Sequence, residues 1–272
     1  MIGMKEVADE VDSLIAQAED NQRREAQGLK VTNPTNHLVL SGNPGTGKTT
    51  VAESIAELYH GLGILPTNKV TVVDRADLGG RYANDIEANV KDLFARAKGG
   101  VVFVDEAYML ANDEFGQRAA NQLMKEMEEN RKDTVVIVAG YPDDLNNLMS
   151  TNPGFARRFP RTIHFPDYSV KDQVKILGKM MADHQDVFDS TETMEHARTA
   201  VKHVADLGGN AGGMRNFHEE LIKARAQRLR GTNPSPKKMS RFAKDDVNVA
   251  LNRLGIAPIK SGKLVKREQM VG

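Results

Sequence analysis

The 272-residue chain contains no cysteine and no tryptophan. Without thiols, structural disulfides, thiol nucleophiles and zinc–thiolate sites are excluded. Aromatic residues make up only 5% of the chain, so its core must rest on aliphatic side chains and few aromatic anchors are available. A charge bias is also missing: 37 Lys and Arg balance 37 Asp and Glu. The chain as a whole therefore does not advertise a nucleic-acid or acidic-membrane partner. No apolar run approaches the ~20 residues that span a bilayer, and the opening MIGMKEVADE lacks a signal-peptide pattern. The expectation is a cytoplasmic protein without membrane insertion.

Hydrophobic residues make up 40% of the chain and charged residues 27%, enough for one large domain or two modest ones. Residues 4–27 place Val7, Val11, Leu14, Ile15 and Ala18 at helical spacing. Short β-branched runs bounded by turn residues follow at 37–42, 69–74, 100–106, 134–140 and 161–166. Helical patterns lie between them, at about 84–98 and 115–131. Strands alternating with helices predict an α/β fold, with a parallel five-stranded sheet covered on both faces. After Pro166 four helical segments follow with no strand pattern between them, which predicts an all-helical second domain over 168–255. Residues 256–272 have no periodicity and read as a flexible tail. From Gly231 onward nine Lys/Arg face three Asp/Glu. A nucleic-acid contact by this basic end is the alternative to a solvated tail, and the solvated tail is favoured.

GNPGTGKT, residues 42–49, fits G-x-x-x-x-G-K-[ST] and lies between a strand and a helix. In such a loop the backbone N–H groups of Asn43, Gly45, Thr46 and Gly47 converge around phosphate oxygens, with Pro44 lying in the same binding loop. Lys48 is the candidate for the β- and γ-phosphates, Thr49 for a Mg²⁺ ion, and Thr50 follows at the helix start. VVFVDE, residues 101–106, delivers Asp105 and Glu106 at the C-terminal end of a buried strand, the edge at which α/β sheets bind ligands. Asp105 is expected to orient the metal shell and Glu106 to polarise the attacking water. The pair of motifs specifies ATP hydrolysis with ATP and Mg²⁺ as cofactors. FARRFPR places Arg157, Arg158 and Arg161 before the last strand, and Arg215 lies in the third helical segment of the C-terminal domain. Such arginines are solvated in most proteins, but phosphoryl transfer uses one to stabilise developing charge. The seven histidines show no metal-binding spacing, and His164 falls within a strand.

The succession IGMKEV, GNPGTGKTTVA, HGLGIL, DRADLGGRY, GGVVFVDEAY, VVIVAGY, NPGFARRF and FPDYS resembles the AAA+ ATPases. Within them it is similar to the CbbX/CfxQ group, which includes SpoVK and the EccA ATPase domain. The resemblance implies a nucleotide-binding αβα domain over 1–167, a helical lid over 168–255 and a homo-oligomeric ring, usually a hexamer. It also implies a catalytic arginine from the neighbouring subunit, with Arg158 the first choice and Arg157 the second. Ile2 and Gly3 match a segment that touches adenine. That segment stands at the N-terminus, so either no substrate-recruiting domain precedes the ATPase or the chain is a piece of a longer protein. Three positions depart from the wider pattern. Tyr141 stands where many members carry a polar sensor. Gly212 replaces the usual lid arginine, for which Arg215 on the same helix face is the candidate substitute. Tyr82-Ala83-Asn84 replaces an aromatic-aliphatic-glycine pore loop.

Three functions compete on this basis. The leading one is a chaperone-like remodelling ATPase that grips a protein client with Tyr82 in a central pore, an aromatic offering large contact area at low entropy cost. The alternatives are a nucleotide-switched ring scaffold of a secretion or regulatory complex, and a DNA-associated ATPase.

Overall fold

The computed structural model describes residues 2–31, 35–78, 83–260 and 263–264. Tyr82 lies outside them. Two compact units emerge: Gly3–Asn43 with Gly47–Pro166, and Asp167–Gly272 with Ile2 and Pro44–Thr46.

The first unit follows the strand–helix alternation. Its elements are α1 (Lys5–Ala26), β1 (Leu38–Gly42), α2 (Lys48–Gly61), β2 (Val70–Val73), α3 (Arg75–Leu78), α4 (Ala83–Ala97), β3 (Val101–Val104), a 3₁₀ turn (Ala107–Leu110), α5 (Glu114–Glu129), β4 (Val135–Gly140), α6 (Pro142–Thr151), α7 (Pro153–Ala156) and β5 (Arg161–Phe165). The five strands form one parallel sheet in the order β2-β3-β4-β1-β5. Every residue of β1, β3 and β4 is buried, whereas β2 and β5 at the edges are not. Central parallel strands are covered on both faces, so they read as unbroken apolar runs. Val102, Val104, Val136 and Val138 of the sheet share a core cluster with Ile86, Val90, Leu93 and Phe94 of α4 and with Leu123 and Met127 of α5.

The second unit comprises α8 (Val170–Asp183), β6 (Val187–Phe188), α9 (Thr191–Ala205), α10 (Asn210–Arg228), α11 (Pro236–Met239), β7 (Arg241–Phe242), α12 (Lys244–Arg253), β8 (Ile259–Lys260) and β9 (Lys263–Leu264). Ser169 and Ser190 cap α8 and α9, each accepting from a backbone N–H three residues on. Leu177, Val201, Phe217, Leu221, Phe242 and Leu251 form its core. Buried Asp186 accepts from Arg225, whose guanidinium carbon sits 4.4 Å over the Phe242 ring. Buried Asp246 takes both arms of Arg228 at 2.8 Å, the strong bidentate geometry.

The second unit is the helical domain expected, with a parallel pairing of β6 and β7 over two residues set among its helices. One expectation needs correction: the segment from 256 onward is not a free tail at its start. Ile256 and Ile259 are buried in the helical core, and β8 pairs antiparallel with β9. Apolar side chains at 256 and 259 join the cluster of the second unit, and their N–H groups donate to Leu251 O and Asn248 Oδ1 of α12, partners that no local periodicity announces. Residues 265–272 lie outside the described ones.

Candidate nucleotide-hydrolysis site

The loop over residues 42–49 leaves the C-terminal end of β1 and runs directly into α2. Gly47 adopts φ 93 as the residue preceding α2, a left-handed conformation that glycine takes without a Cβ penalty. Gly45 also has positive φ, and a Cβ there would sit 2.2 Å from the Gly209 carbonyl oxygen. Within the second unit Asn210 Nδ2 donates to Pro44 O at 3.2 Å, Ala211 N to Gly45 O at 3.0 Å, and Tyr168 OH to Thr46 O at 3.2 Å. Asn43 is exposed, Thr46 is buried, and Thr49 and Thr50 are exposed on the first turn of α2.

Lys48 Nζ donates to Gly42 O at 2.8 Å and to Asn43 O at 3.0 Å. Burial pulls its pKa below the usual lysine value, and the Asp105 carboxylate opposes that fall. The fold thus brings Lys48 and Asp105, 57 positions apart in the chain, into electrostatic reach. Asp105 follows the last residue of β3, and its Oδ1 accepts from Glu106 N at 2.9 Å. Glu106 has φ 51, a left-handed backbone rare outside glycine. Its exposed carboxylate accepts a hydrogen bond from Tyr108 OH at 3.3 Å. Sequence reasoning passed over Tyr108. The spacing Glu-Ala-Tyr, with a short turn after the strand, is the signal that was available.

The remaining candidates are placed as follows. Tyr141 is 39% exposed and precedes α6 at the end of β4. Arg157 is exposed after α7. Arg158 is half-buried: its Nη1 donates to Gly154 O at 3.0 Å, while its Nε is buried without a hydrogen-bond partner. Arg161 belongs to β5 and its side chain contacts Gln17. Arg215 is an exposed residue of α10 in the second unit, and Gly212 lies in the first turn of that helix. Ile2 is half-buried and Gly3 has φ 67. A cavity of 560 Å³ lined by Leu14, Gln17, Tyr59 and Arg131 involves none of the phosphate-loop residues and neither Asp105 nor Glu106. The phosphate loop follows the C-terminal end of β1, and the two acids follow the C-terminal end of β3.

Comparison with known proteins gives this geometry its family. The pattern of the ATPase family associated with various cellular activities (AAA) matches residues 38–167, and that of the AAA lid domain matches residues 171–255. The chain belongs to the AAA ATPases. It is therefore an ATPase whose αβα sheet is followed by an AAA lid. Among its relatives, protein CbbX of Cereibacter sphaeroides is 36% identical over 258 residues, 92% of this chain and 84% of that protein. Stage V sporulation protein K of Bacillus subtilis is 34% identical, over 84% of this chain and 73% of that one. ESX-3 secretion system protein EccA3 of Mycolicibacterium smegmatis is 38% identical over 84% of this chain, which spans only 40% of that protein. The crystal structure of the FIGL-1 AAA domain in complex with ADP shares the fold, with a TM-score of 0.58 at 18% identity, covering 88% of this chain and 78% of that one. Among the described residues no helix is long and apolar enough to cross a membrane.

Proposed function

We propose that this AAA ATPase works as a homo-oligomeric, hexameric ring in the cytoplasm and uses ATP hydrolysis to pull on a protein client. The observation that carries the reading is the approach of Lys48 to Asp105, the residue that follows β3, the strand that also packs with α4. Lys48 holds the β- and γ-phosphates, and the N–H groups of the loop surround them. Thr49 and Asp105 are hard oxygen donors, the class that Mg²⁺ takes alongside nucleotide phosphates. A bound Mg²⁺ would neutralise charge on the phosphates. Glu106 polarises the attacking water. Arg158 of a neighbouring subunit, or Arg157 in its place, stabilises charge on the transferred group. Tyr141 and Arg215 are the proposed nucleotide sensors, and Ile2 and Gly3 the proposed adenine contacts.

Support for mechanical action comes from connectivity. Tyr82 precedes α4, whose Ile86, Val90, Leu93 and Phe94 pack in one cluster with Val102 and Val104 of β3, the strand that leads to Asp105 and Glu106. Close-packed interiors transmit displacement rather than absorb it. Tyr82→Ala is expected to keep nucleotide affinity within about twofold while abolishing the stimulation of ATP hydrolysis by an unstructured polypeptide, read by phosphate release and by nucleotide titration. Full stimulation in that variant would remove the pore reading. The likeness to EccA3, whose name places it in a secretion system, favours a nucleotide-switched scaffold as the second reading. That reading gains if Tyr82→Ala still supports every partner-dependent function.

A further inference from the structure

We propose that Tyr108 is a positioning residue for ATP hydrolysis, holding the Glu106 carboxylate in the orientation from which it engages the attacking water. The inference rests on the hydrolytic role proposed for Glu106.

Glu106 presents an unusual problem of placement. It follows Asp105 beyond the end of β3, is exposed, and carries φ 51 and ψ 43. A glutamate has three side-chain torsions and, when exposed, samples many rotamers. Yet a general base works only within hydrogen-bond reach of the proton that it takes. Left-handed backbone at a non-glycine residue persists only where neighbours hold it. Here Glu106 N donates to Asp105 Oδ1 at 2.9 Å, and Glu106 O accepts from Met109 N at 3.1 Å. Those bonds fix the backbone but not the carboxylate.

Tyr108 supplies the remaining restraint. Its hydroxyl donates to Glu106 Oε2 at 3.3 Å, which occupies one carboxylate oxygen and leaves Oε1 for water. Tyr108 is itself steadied by its turn. Ala107, Met109 and Leu110 are buried at 0%, 7% and 2% exposure in the sheet's core cluster, and Tyr108 O accepts from Ala111 N at 2.9 Å. The turn therefore grips the core on both sides of the tyrosine while the phenol reaches outward to the acid. The Glu106 charge is the largest influence on the phenol and raises its pKa, and Asp144 and Tyr141 add smaller increments in the same direction. The hydroxyl accordingly remains a protonated donor throughout the neutral range.

Tyr108→Phe removes one oxygen and tests the idea in the intact chain. Steady-state phosphate release should show kcat lower by about tenfold, as expected for a misplaced base, with KM and nucleotide affinity within about twofold of the parent. Because the tyrosine acts through Glu106, the double variant Tyr108→Phe/Glu106→Gln should hydrolyse ATP in single turnovers no more slowly than Glu106→Gln alone. A spectroscopic readout is independent of turnover. In Glu106→Gln the tyrosine absorbance titration should gain a component at lower pH, and that component should disappear when Tyr108 is also replaced by Phe. An unchanged or raised kcat in Tyr108→Phe would overturn the proposal. So would a tenfold deficit that persists in the double variant, or joint loss of kcat and nucleotide binding. Hydrolysis at the parental rate by Glu106→Gln alone would instead overturn the role of Glu106, a failure distinct from that of Tyr108.

Discussion

His37 shows how much a single side chain can hide. It is 2% exposed, and its Nδ1 accepts from Val136 N at 2.9 Å across 99 positions of sequence. Burial first, and the nearby Arg158 charge second, lower its pKa from 6.5 to about 4. A histidine whose folded pKa lies below its unfolded value favours the neutral form on folding. Its contribution is complete above pH 6.5 and is lost as the pH falls from 6.5 through about 4. The shift corresponds to on the order of 3 kcal/mol. Urea unfolding at a series of pH values should therefore show His37→Gln losing less stability than the parent between pH 6.5 and 4, and equal slopes would refute the linkage. The placement of the phosphate loop after β1 and of Asp105-Glu106 after β3 was readable because both motifs lie at the ends of contiguous apolar runs. The contacts of His37 and Tyr108 were not readable in that way, since one is made with a strand 99 positions away and the other depends on the path of a turn.

Among the elements, β1, β3 and β4 were legible as apolar runs, and their burial along their whole length explains why. The junction after β3 is more demanding. Asp113 caps α5 by accepting from Gly116 N at 2.7 Å, and a Cβ on Gly116 would lie 2.3 Å from Met109 O. The helix thus starts against the backbone of the 3₁₀ turn that carries Tyr108, with no room for a side chain. Gly116→Ala should cost about 1–3 kcal/mol, the range of an overpacked site, measured as a lower urea midpoint at an unchanged slope. A stability equal to the parent's would mean that the turn moves aside freely. The β6–β7 ladder and the burial of Ile256 and Ile259 escaped sequence reading for a related reason. Two-residue pairings and isolated apolar anchors carry no period, so only their distant partners reveal them.

The whole molecule is an AAA ATPase with its lid, and its proposed ring makes a prediction about subunits. If Arg158 serves the nucleotide of a neighbour, Arg158→Ala and Glu106→Gln chains should each hydrolyse ATP at least about tenfold more slowly than the parent. Mixing them should restore part of the rate, because some interfaces then pair an intact Arg158 with an intact Glu106. Phosphate release measured across mixing ratios checks this, and no recovery at any ratio would argue against sharing through Arg158. The family was legible from the order of short motifs along the chain, and so was the placement of the phosphate loop and the acids at strand ends. Contiguous residues suffice for both, since a strand–loop–helix unit aims its own N–H groups and a buried strand delivers its own terminal acids. Folding alone set the Tyr108–Glu106 bond, the acceptance of Val136 N by His37 and the anchoring of residues 256–260. Each of these depends on the path of a turn or on packing between distant segments, neither of which is written in local spacing.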